Sequence, residues 1–85
     1  MKYILYHTRA IKFLRKIPKS EASRIIHKVN LLKTKSQWEA LDIKKLQTTK
    51  SSYRLRVGAI RVVFEIILTQ DTIYIQDIDF RGNIY

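Results

Sequence analysis

Tyr53-Arg54-Leu55-Arg56-Val57-Gly58-Ala59-Ile60-Arg61-Val62-Val63-Phe64-Glu65-Ile66 is the stretch from which the fold can be worked outward. Two runs of alternating character flank Gly58-Ala59, and a glycine in the first central position fits a two-residue hairpin turn. A reversal there pairs Val57 with Ile60, Arg56 with Arg61, Leu55 with Val62, Arg54 with Val63 and Tyr53 with Phe64. Directly opposed residues share a face, and side chains alternate along each strand. One face then holds Tyr53, Leu55, Val57, Ile60, Val62, Phe64 and Ile66, which is a core face. The other holds Arg54, Arg56, Arg61, Val63 and Glu65. A slip of one residue would scatter the arginines over both faces, so the reading depends on the turn.

Like charges opposed across a hairpin cost stability, where each cross-strand pair is worth about 0.2–1 kcal/mol. Such an arrangement is easier to understand if it serves an anion. Arginine suits phosphate because its planar fork makes bidentate, charge-assisted hydrogen bonds. The competing reading is a solvated strand face, partly neutralised by Glu65 and the acids that follow it.

Toward the N-terminus, Met1 to His7 is a short apolar and aromatic run that reads as a first strand. Thr8 can cap a helix in which Ala10, Phe13, Leu14 and Ile17 fall on one side. Pro18 stops it, and Ser20 can cap a second helix with the stripe Ala22, Ile25, Ile26, Val29 and Leu32. Arg24, His27 and Lys28 lie off that stripe. From 34 to 52 the pattern is weak: Trp38 and Leu41 are expected at the core edge, while Lys35-Ser36 and Thr48 to Ser52 read as loops. Beyond the hairpin, 72–80 reads as a last strand, whose alternation breaks at Asp77 to Asp79. Strict alternation would point Arg81 to the core side, and a bulge near Asp77–Asp79 or strand termination would redirect it. Helices followed by strands predict an α+β fold: an N-terminal strand, a two-helix hairpin, then a mostly antiparallel twisted sheet of about four strands.

The whole chain bounds these readings. Its 85 residues fit one domain, 1–85, and carry a net charge of +10. Between residues 44 and 61, Lys44, Lys45, Lys50, Arg54, Arg56 and Arg61 occur without a single acid. No cysteine is present, which excludes a disulfide framework, a thiol nucleophile and a Cys-type zinc site. Two glycines and one proline leave no room for a glycine-rich phosphate loop. No apolar run approaches the ~18–20 residues that cross a bilayer, and the opening run is too short for a signal peptide, so a cytoplasmic location is expected. His7 and His27 are unpaired in sequence and form no recognisable catalytic or metal set. Lys12, Arg15, Lys16, Lys19, Lys28 and Lys33 read as a solvated helix face that could also meet RNA phosphates.

The run YRLRVGAIRVVFEI, followed by IYIQDIDFRGNIY, resembles the RelE/ParE superfamily of bacterial and archaeal type II toxins, the RelE-like branch above all. The likeness spans nearly the whole chain: opening strand, basic helix pair, the element Lys44-Lys45-Leu46, the arginine-rich hairpin and the closing Arg81-Gly82-x-x-Tyr85. It implies the RelE-like fold and a toxin that enters the ribosomal A site and cuts the mRNA codon there. It implies as well a neighbouring, acidic antitoxin that binds and silences it in a hetero-oligomer. By this resemblance Arg54, Arg56, Arg61, Arg81 and Tyr85 form the catalytic set, and Lys44, Lys45 and Lys50 are assigned to RNA or ribosome phosphates. The implied chemistry needs no metal and no cofactor. The RNA's own 2′-OH attacks the adjacent phosphate, Arg61 and Arg81 stabilise the phosphorane, and Arg54 and Arg56 grip the backbone. Tyr85 stacks on a base or shuttles a proton. Arginine stays protonated in proteins, so the general base is left unassigned. ParE-like members, which poison DNA gyrase on the same fold, and a non-catalytic basic binding protein are the alternatives.

Overall fold

The computed structural model describes residues 1–47 and 50–80. In chain order these form β1 (Tyr3–Tyr6), α1 (Thr8–Lys16), α2 (Lys19–Leu31), a 3₁₀ helix (Lys35–Ala40), β2 (Asp42–Lys45), β3 (Ser52–Val57), β4 (Ile60–Ile67), a short 3₁₀ turn (Leu68–Gln70) and β5 (Thr72–Phe80). The architecture is the expected α+β one, with a five-stranded sheet in the order β1-β5-β4-β3-β2. Only β1, parallel to β5, departs from antiparallel pairing.

The β3–β4 register matches the sequence reading pair for pair, from Tyr53↔Phe64 to Val57↔Ile60. Gly58 sits at φ +60°, and Asp71 is the one other described residue at positive φ. Positive φ at the first central position but not at Ala59 is the mark of a type II′ turn, whose twist suits a hairpin. The core lies between one sheet face and the helices. Leu55, Val57, Ile60, Val62, Phe64, Ile73, Ile75 and Ile78 meet Ala10, Phe13, Ile25, Val29 and Leu32 there.

Several local expectations are corrected. Helix α1 is capped by His7, not Thr8: the His7 Nδ1 accepts the Arg9 backbone N–H at 3.0 Å. Helix α2 starts behind Pro18 rather than Ser20, and the Ala22 N–H bonds the Pro18 carbonyl at 3.0 Å. Proline's fixed φ suits a helix start, and no side chain caps the first turn. Ile26 leaves the apolar stripe and is 40% exposed, because Ile25, Val29 and Leu32 already fill the inward-facing arc. Lys35-Ser36 opens a 3₁₀ helix rather than a loop. That turn is anchored by Trp38, whose indole N–H donates to the Leu32 carbonyl at 2.9 Å and whose ring meets Tyr53 and Phe64 edge-on. Segment 42–45, where the sequence pattern is too weak to assign an element, is edge strand β2 on β3. Ser52, expected in a loop, is the first residue of β3. Thr48 lies outside the described residues. Among the described residues no helix is long and apolar enough to cross a membrane.

Candidate functional site

The helices cover one face of the sheet, and the arginines occupy the other. Cross-strand partners point the same way, so the pairings define two rows on the helix-free face. One row runs Asp42, Arg56, Arg61, Asp79; the next runs Lys44, Arg54, Val63, Asp77. Arg54, Arg56 and Arg61 are thus brought together as the sequence predicts, and Lys44 joins them from β2.

The opposed pair Arg56/Arg61 is flanked by an acid at each end, in the order minus, plus, plus, minus. Opposite charges in register offset part of the repulsion that two adjacent guanidiniums create. Arg56 also tips toward the turn, its Nε donating to the Gly58 carbonyl at 3.4 Å. One step further along the face, Glu65 accepts from Ser51 Oγ at 3.1 Å and from Gln76 Nε2 at 3.4 Å. Val63, only 9% exposed, is the apolar floor between Arg54 and Asp77.

The two β5 acids reach this face because the strand is irregular. Phe64 pairs with Ile75 but Val63 pairs with Asp77, leaving Gln76 as an extra residue. Such a bulge reverses which side the following residues take. Before it Ile73 and Ile75 are inward; after it Ile78 is inward, and Asp77 and Asp79 share the arginine face. The break therefore falls just ahead of the anticipated Asp77–Asp79 segment. Each of these acids also holds its neighbour's backbone, Asp77 Oδ1 accepting from the Ile78 N–H at 2.9 Å and Asp79 Oδ1 from the Phe80 N–H at 2.7 Å.

Other predicted residues fall elsewhere. Lys45 is in register with Tyr53 and so belongs to the opposite side of β2 from Lys44. Lys50 is exposed between β2 and β3. Arg81 and Tyr85 lie outside the described residues. His7 is occupied as a helix cap, with its ring edge-on to Tyr74 at 6.2 Å. Among the described residues no three His, Cys, Asp or Glu side chains converge as a metal site would need. The sequence reading missed Asp42 and Asp79 as partners of the arginine pair. The alternation Asp77-Ile78-Asp79 was the available signal, legible only once the bulge is placed.

Chemically, the face sets four cations, Lys44, Arg54, Arg56 and Arg61, among four acids, Asp42, Asp77, Asp79 and Glu65, around the apolar Val63, so its guanidinium donors sit in a surface balanced in formal charge. Preset donors of this kind stabilise charge that develops on a phosphate.

No protein-family model matches the chain. It is 31% identical over 80 residues to a Methanocaldococcus jannaschii protein assigned as toxin RelE1, covering 93% of this chain and 89% of that one. It is also similar to a chain in the crystal structure of the archaeal RelE-RelB complex from Pyrococcus horikoshii OT3. There the TM-score is 0.80 with 28% identity, over 98% of this chain and 99% of the other. The intact E. coli RelBE toxin-antitoxin complex contains the same fold, at a TM-score of 0.76 and 17% identity, over 95% of this chain and 96% of that one.

Proposed function

The chain belongs to the RelE-like toxins of the RelE/ParE superfamily, and from that membership we propose that it is a ribosome-dependent endoribonuclease that cuts mRNA in the A site. The observation that carries the proposal is the register placing Arg54, Arg56 and Arg61 together, with Lys44, on the face the helices leave open. The 2′-OH of the RNA attacks the neighbouring phosphorus; the P–O5′ bond breaks, leaving a 2′,3′-cyclic phosphate and a 5′-OH. Arg61 stabilises the extra negative charge of the phosphorane, and Arg54 and Arg56 hold the flanking backbone. Arg81 and Tyr85 enter on the family resemblance, as a second charge stabiliser and as the base-stacking or proton-shuttling group. Positioning and electrostatic stabilisation each supply several kcal/mol, so the scheme does not hinge on a strong general base.

The natural partner in this proposal is an antitoxin, as the names of the similar RelE-RelB and RelBE complexes support. A chain of net charge +10 should gain stability from an acidic protein that binds only its folded form. Adding the protein to a translation extract and mapping mRNA ends tests the proposal. Cuts confined to the codon in the A site are expected. Covalent gyrase–DNA complexes with intact mRNA would overturn it.

A further inference from the structure

Gly58 is the meeting point of two arginines from different layers. Arg56 donates to the Gly58 carbonyl from the open face, and the Arg24 guanidinium, from α2, approaches the side of Gly58 where a side chain would stand. A Cβ built on Gly58 would stand 2.7 Å from Arg24 Nη2, so the guanidinium lies against the bare glycine. Beside this contact is a cleft of about 450 Å³ lined by Arg24, Lys28, Leu41, Asp42, Arg56 and Gly58. Arg24 and Lys28 are one helical turn apart, so both project to the same side. Three cations against Asp42 leave the cleft net positive. Glu21, outside the lining, stands 3.8 Å from Arg24, in a pair of which both members are about half exposed.

The cleft is continuous with the arginine face through Arg56, which belongs to both. We propose that it is a second phosphate subsite, taking the RNA backbone beyond the scissile phosphate as the strand passes over the hairpin tip onto α2. The inference rests on the RNA-cleaving reading and extends it to Arg24 and Lys28, which contact no reacting atom. Guanidinium and ammonium groups set around an apolar wall of Leu41 fit a phosphodiester passing over it.

Binding of fully 2′-O-methylated oligoribonucleotides, which cannot be cut, tests this by fluorescence anisotropy on the full chain. R24Q/K28Q is expected to bind a ten-nucleotide strand about tenfold more weakly at about 50 mM salt, with a log–log salt slope shallower by about 0.7 per phosphate lost. A trinucleotide, too short to span both regions, should bind both proteins alike. Glu21→Gln removes the competing carboxylate and should tighten the ten-nucleotide strand, a gain that damaged folding cannot mimic. Wild-type affinity and slope in R24Q/K28Q, equal losses for both lengths, or no binding of the longer strand by the wild type would each overturn the proposal. So would a loss confined to a polyglutamate peptide, which would assign the cleft to an acidic protein. Subsite binding without mRNA cuts in a translation extract would refute the nuclease reading alone.

Discussion

Gly58→Ala isolates the feature on which the arginine arrangement depends. At φ +60° an L-residue brings its Cβ against the backbone, at a cost of about 1–2 kcal/mol. Replacing glycine also reduces the freedom of the unfolded chain, which returns about 0.4–1 kcal/mol. The close approach to Arg24 Nη2 adds little, because the end of a half-exposed side chain can swing away. The expected net loss is therefore about 1 kcal/mol, or a fall in Tm of about 4–8 °C for a domain of this size. Thermal unfolding followed by circular dichroism at matched pH and salt measures it. The swing also moves Arg24 out of its cleft, so RNA affinity should fall while the β3–β4 pairing, carried by six residue pairs, persists. An unchanged or raised Tm would refute the account of the turn.

Phe64→Ala should be the most damaging of these changes, at about 3–5 kcal/mol, because Phe64 is fully buried and stacks on Tyr53 beneath Trp38. Urea unfolding measures the loss. Asp79→Asn keeps an acceptor for the Phe80 N–H but removes one of the two charges flanking Arg56/Arg61. It should lower Tm at low ionic strength, and the difference should shrink when salt screens the face. Tyr6 gives a pH test: burial pushes its phenol above the ordinary value of 10.0. A group whose folded value is raised contributes stability below its unfolded value and loses it as pH climbs through the folded one. Wild-type stability should thus fall above about pH 10, and Tyr6→Phe should flatten that fall. At neutral pH the variant should be close to neutral, since the buried hydroxyl has no hydrogen-bond partner among the described residues.

What could be read in the sequence follows from how local each cause is. The hairpin was legible because strict alternation and a two-residue turn determine register without outside help. Strand β2 was not, since Asp42-Ile43-Lys44-Lys45 has one apolar residue and becomes a strand only by pairing with β3. The helix stripes were legible to within one position, and Ile26 was misassigned because adjacent apolar residues cannot all face inward on a 3.6-residue period. The caps were misplaced by one or two residues because His7 and Pro18 satisfy the helix starts in less common ways. At the site, the arginines came from the register, whereas their acidic flanks required the extra residue at Gln76. The Arg24–Gly58 approach is tertiary and left no local trace.

In the proposed mechanism Arg61 stabilises the transition state rather than the fold. The most direct measurement compares wild type and Arg61→Ala for A-site mRNA cutting in a translation extract, alongside their melting temperatures. Loss of one charge-stabilising donor predicts a drop in cutting of about 10²–10³-fold with Tm little changed, because relief of the Arg56/Arg61 repulsion is offset by loss of the Arg61/Asp79 attraction. Cutting at the wild-type rate by the variant would contradict it.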